Sequence, residues 1–196
     1  MHGLVNKSIE RFILDTYGPN VWATVSRSMG ETDLCFDALR PYPDDVTFQL
    51  IAASAQAVPK HVDDLLEDLG TYLVSHSNCE HIRRLLRFGG VDFVDFVVSL
   101  EDIPDRATLA LDDLILPRLE VISQTETEYR IKVQPIWRGF ATVLAGALRA
   151  MADDYGALVF IDRVSPEVGW DHINLILFDT SFAEGRSFSL SSEVYK

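Results

Sequence analysis

At 196 residues, 47% hydrophobic and 24% charged, the chain is long enough to bury one core and too apolar to stay disordered. Its 30 acidic against 17 basic residues give a net charge of −13, which repels phosphate backbones and anionic headgroups and argues against nucleic-acid and membrane-surface roles. Two cysteines, Cys35 and Cys79, exclude a disulfide framework. No apolar run approaches the roughly 18–20 residues that span a bilayer, and the N-terminus lacks a signal-peptide pattern, so a cytoplasmic location is expected.

Val5, Ile9, Phe12, Ile13 and Leu14 recur at helical spacing until Gly18-Pro19 stops the segment. A short helix over Val21 to Ser28 follows, and the acidic, Pro-containing stretch from Glu31 to Asp45 reads as loop. Asp44 or Asp45 is expected to cap a helix reaching Ala57. Pro59, as a first-turn proline, opens another that continues from Val62 to Ser75. Helices are expected again over Glu80 to Phe88, ended by Gly89-Gly90, and over Val91 to Leu100. The period then changes. Leu116 to Ser123 and Tyr129 to Val133 alternate like the strands of a hairpin, Arg138 to Tyr155 is a helix stopped by Gly156, and Leu158 to Arg163 and His172 to Phe178 are strands. Helices followed by β-β-α-β-β predict an α+β fold, an N-terminal helical lobe followed by an antiparallel sheet with a packed helix.

Phosphate-binding loops, H-E-x-x-H, Cys-x-x-Cys and Gly-x-Ser-x-Gly are all missing, so no common catalytic motif offers a foothold. Carboxylate runs such as Asp63-Asp64 and Asp112-Asp113 read as solvated faces. His76, Cys79 and His81 lie within six residues and are competent metal ligands, but no second cluster completes a tetrahedral set. His2, His61 and His172 stand alone and read as surface or satisfied polar residues.

Met1-His2-Gly3-Leu4-Val5-Asn6 and Tyr17-Gly18-Pro19-Asn20-Val21-Trp22 resemble the start of the heme–nitric-oxide-binding (H-NOX) domain, especially as found in the β subunit of soluble guanylate cyclase. The resemblance continues from Asp64 through Pro117, resumes at Arg138-Gly139 and at Tyr155-Gly156, and covers roughly residues 1–180. It implies one domain over residues 1–185, with a helical lobe over about 1–60 and a heme-pocket lobe over about 61–185, while the polar tail at 186–196 reads as loose. It also implies a heme between the lobes, with Val5, Ile9, Leu73, Val143 and Ala147 on its distal side and Leu100 and Pro117 on its proximal side. All seven are apolar, as a tetrapyrrole face requires.

Two family anchors are missing. The family's proximal His stands thirteen residues before the heme-packing proline; counting back from Pro117 lands on Pro104, which has no donor for iron. A proline there is also expected to end one helix near Asp102 and start the next. The Tyr-x-Ser-x-Arg motif that binds the heme propionates is replaced by Val133, Pro135 and Trp137, leaving Arg138 one residue late and Lys132 and Arg118 as possible substitutes. The resemblance therefore implies a non-enzymatic, stand-alone sensor of nitric oxide or redox state with non-standard heme attachment, acting on a diguanylate cyclase or histidine kinase. His76, one turn beyond Leu73, is a candidate axial ligand, with His2 as an outside choice. Two alternatives remain: a heme-free protein-interaction module of the same fold, and an enzyme, carrier or binder of another tetrapyrrole or hydrophobic ligand using Tyr72, His76 or Asp102.

Overall fold

A computed structural model describes residues 1–167 and 169–188. Helix α1 (Gly3–Tyr17) is capped by His2, whose Nδ1 accepts from the Leu4 N–H. Gly18 ends it at φ +87°, a region open to glycine at no steric cost, and donates its N–H to the Ile13 and Leu14 carbonyls. Pro19 immediately starts α2 (Pro19–Ser28), two residues before the expected start, because a proline at the first position gives up no hydrogen bond. The loop that follows is tied down from below. Buried Glu10 accepts from the Phe36 N–H at 2.8 Å, which seats Phe36 in the core, and Lys7 neutralises the carboxylate at 2.6 Å.

Two expected helix starts differ. In α3 (Asp44–Ala57) Pro43 is the N-cap, and Asp44 and Asp45 occupy the first turn, where their charge faces the positive end of the helix dipole. Helix α4 (Val62–Ser75) is capped by His61, whose Nδ1 accepts from the Asp63 N–H; Pro59 stays in the preceding turn. A 3-10 turn (Ser77–Cys79) leads to α5 (Glu80–Arg87). The expected helix over Val91 to Leu100 is shorter. Asp92 caps α6 (Phe93–Val98), and Ser99–Asp102 tightens into a 3-10 turn, in which the Ile103 N–H reaches the Leu100 carbonyl. Pro104 cannot donate to that carbonyl and sits instead in the first turn of α7 (Ile103–Ala110).

Pro117 also keeps β1 (Leu119–Ser123) from starting at Leu116, since it has no N–H for the ladder. Strand β1 pairs with β2 (Glu128–Val133), and α8 (Phe140–Tyr155) starts two residues later than Arg138 because left-handed Gly139 is its N-cap. Strands β3 (Leu158–Glu167) and β4 (Trp170–Asp179) are longer than expected. The sheet is antiparallel in the order β1-β2-β4-β3. Ile131, Val133, Ile173 and Leu175 cover α8.

The core falls into two clusters. Ile9, Phe12, Ile13, Leu50 and Tyr72 form the helical one; Phe93, Leu100, Leu148, Met151 and the inner sheet residues form the other. Helix α4 belongs to both, with Leu65, Leu66 and Leu69 in the first cluster and Val74 in the second, so the division runs along α4 and not at residue 60. Of the tail expected to be loose, Arg186 and Ser187 are tied down: the Arg186 N–H donates to the Asp154 carbonyl and the Ser187 carbonyl accepts from Arg83. Residues 189–196 lie outside the described residues.

Candidate functional site

The seam between the two clusters is where the expected pocket residues fall. Val5, Ile9, Leu73 and Val143 pack on the helical side, whereas Leu100 and Ala147 pack on the sheet side. Ile9 and Leu100 are fully buried; Val5, Leu73, Val143 and Ala147 are half-buried. Pro117 is buried just before β1, and Pro104 is half-buried in α7. Helices α4 and α8 meet at the seam without side chains between them. A Cβ on Gly70 would collide with the Val143 carbonyl, and one on Gly146 with that of Glu67.

The anchors of this seam do not suit heme in the family's manner. Pro104 offers iron no lone pair. Of the clamp positions, Val133 is completely buried in β2, facing α8. Trp137 meets Phe140 edge-on at 5.8 Å and lines a cavity of about 430 Å³ with Met1, His2, Pro41, Asp44 and Asp113. The Met1 ammonium is already engaged there, at 2.5 Å from Asp44 and 2.8 Å from the Tyr42 carbonyl. With Asp44 paired to that ammonium, the Asp113 carboxylate is the net charge left, and it repels propionates instead of holding them. The suggested substitutes are occupied too, with Arg118 at 3.3 Å and Lys132 at 3.7 Å from Glu120.

Arg138 points elsewhere. It lines a separate cavity of about 770 Å³ with His61, Asp63, Arg163, Asp171 and His172. Asp63 is not simply solvated, since Arg163 bridges it at 3.1 Å and donates to Thr142 at 2.6 Å. Charged residues facing inward from a strand and its edge were the only sequence signal for this cavity, and no motif marked it.

His76 closes α4. Its ring stacks on Tyr72 at 4.8 Å, its Nδ1 accepts from the Asn78 N–H, and Asp15 lies 3.8 Å away. Tyr72 donates to Asp15 at 2.6 Å and Asn78 donates to it at 2.8 Å, holding that carboxyl below its ordinary range. Burial, and then the Asp15 bond, push the Tyr72 hydroxyl well above its own. Burial raises the Cys79 thiol as well, and His81 is exposed. Among the described residues no three His, Cys, Asp or Glu side chains converge to hold a metal ion.

The sequence model of the Haem-NO-binding family matches residues 2–163. Soluble guanylate cyclase gcy-31 of Caenorhabditis elegans is 23% identical over 154 residues, 79% of this chain and 22% of that protein. Soluble guanylate cyclase gcy-37 of the same organism is 32% identical over 81 residues, 41% of this chain and 11% of that protein. The chain thus spans about a fifth or less of these relatives. Among solved structures, an H-NOX protein from S. oneidensis superposes with a TM-score of 0.78 at 16% identity, covering 92% of this chain and 98% of that one. An oxygen-binding H-NOX domain related to soluble guanylate cyclases superposes at 0.71 and 16% identity, covering 95% and 100%. With a profile match over most of its length and the same α+β architecture, the chain belongs to the Haem-NO-binding (H-NOX) family.

Proposed function

We propose that this chain is a regulatory domain of a signalling system, without catalysis of its own, that biases an output protein through its surface and not through an iron–imidazole bond. The output protein is of the class its family suggests, a nucleotide cyclase, a diguanylate cyclase or a histidine kinase. Pro104 in the first turn of α7 is the observation that carries this reading, because it removes both the iron donor and the lever a gas would release. In this reading residues 1–185 act as one domain. Thermal unfolding of the chain with equimolar hemin tests it. A ligand that binds the native state stabilises it by RT ln(1+[L]/Kd), so an unchanged midpoint is expected, and a clear rise contradicts the reading.

A second reading, heme or another tetrapyrrole held in a non-standard way and answering to nitric oxide or redox state, is favoured by the half-buried apolar group Val5, Leu73, Val143 and Ala147. His76 is then the axial candidate, and freeing it requires breaking its stack on Tyr72. His76→Ala separates the two readings. Loss of a hemin-induced midpoint rise in that variant supports the second, and the absence of any rise in either protein supports the first.

A further inference from the structure

The cavity of about 770 Å³ belongs to neither lobe alone. Helix α3 supplies Phe48 and Ile51, the first turn of α4 supplies His61 and Leu66 follows one turn on, while α8 supplies Gly139, Ala141 and Thr142 and the sheet closes the remaining side. Its walls are mostly apolar with a few converging polar groups, the usual make-up of a small-molecule site, and its size is within the usual range of about 300–1,000 Å³.

The charges inside decide which ligand fits. Arg163 is committed to Thr142 and Asp63, and that pair is neutral. The side chains of Arg138 and Asp171 make no hydrogen bond or ion pair among the described residues, so each faces the cavity uncompensated. Arg138 immediately precedes α8, where the Phe140 and Thr142 N–H groups are taken by the Trp137 and Gly139 carbonyls and Gly139 has no side chain to cap the remaining Ala141 N–H. A guanidinium beside one such amide favours a carboxylate, by charge and by hydrogen bonding together. Asp171, on the sheet side of the same cavity, penalises a second negative charge.

We propose that this cavity binds a small organic monoanion with an apolar body, its carboxylate against Arg138 and the first turn of α8 and its body against Phe48, Ile51 and Leu66. An occupant touches α3 and α4 on one side and α8 and the sheet on the other, so binding fixes how the lobes sit. This gives a regulatory domain without an iron lever a different chemical input. The proposal rests on the cavity and stands whether or not heme binds the seam.

The test is a titration of the ¹⁵N-labelled full chain with 4-phenylbutyrate, neutral 4-phenylbutanol and inorganic phosphate, followed by amide shifts. Phenylbutyrate is expected to shift the amides of Ile51 and of residues 139–142 saturably, with the alcohol and phosphate each at least about tenfold weaker. Arg138→Gln, at an exposed residue, is expected to weaken phenylbutyrate by about tenfold while the unfolding midpoint stays put. Ala52→Trp, from the exposed edge of α3, is expected to fill the space and abolish the shifts without loss of fold. Absence of saturable shifts, equal binding of the alcohol or of phosphate, or undiminished binding in Arg138→Gln each overturns the proposal.

Discussion

Tyr72 and Asp15 fasten the end of α4 to the last turns of α1. Because the native carboxyl is held below its ordinary value by the Tyr72 hydroxyl and Asn78, the contact contributes stability above the ordinary carboxylate range. That contribution is lost as the pH falls through the lower native value. Tyr72→Phe should cost about 1 kcal/mol at neutral pH and flatten the fall in melting temperature below about pH 4. A fall as steep as wild type would show that the bond contributes nothing. Arg83 and Asp154 form a second tie, 2.7 Å apart and both buried, linking α5 to the end of α8. Removing Arg83 leaves buried Asp154 only the longer contacts to Arg87 at 3.7 Å and Arg186 at 3.8 Å, so Arg83→Ala should lower stability by about 1–3 kcal/mol in urea unfolding. A loss below about 1 kcal/mol would mean that Arg87, Arg186 or water holds Asp154 as well as Arg83 does. Nothing in the sequence announced this pair, because Asp153-Asp154 near a helix end looks like any solvated acidic run.

Helices α4 and α8 cross where Gly70 and Gly146 bring backbone against backbone. An alanine normally gains about 1 kcal/mol over glycine inside a helix, yet here its methyl has no room. Gly70→Ala should therefore destabilise, and Gly70→Val should cost about 2–3 kcal/mol, read from the urea midpoint. A stabilised Gly70→Ala would show that the helices stand further apart. The elements themselves were largely legible, since strand periods appear only after residue 116, around the one helical period of α8, and the breakers Gly18, Gly89-Gly90 and Gly156 are explicit. Boundaries were missed where a proline or a cap outweighed the apolar pattern: Pro43 and His61 cap helices that aspartate and Pro59 were expected to open, Pro117 delays β1, and Gly139 delays α8.

At the scale of the whole molecule, no helix among the described residues is long and apolar enough to cross a membrane, and the surface carries a net charge of −13. The family was readable from short motifs at the right spacing. The site was only partly so. Apolar residues at the seam could be named in order, but no pattern in one dimension shows that Arg138 turns away from it or that Asp44 and Asp113 stand beside Trp137. Those placements arise from how the loops fold back on the lobes. The most direct measurement is a hemin titration of the full chain followed at the Soret band, with Pro104→Ala in parallel. The expected result is no saturable one-to-one band in either protein. A one-to-one band in the wild type, retained in Pro104→Ala and shifted by nitric oxide, would contradict it.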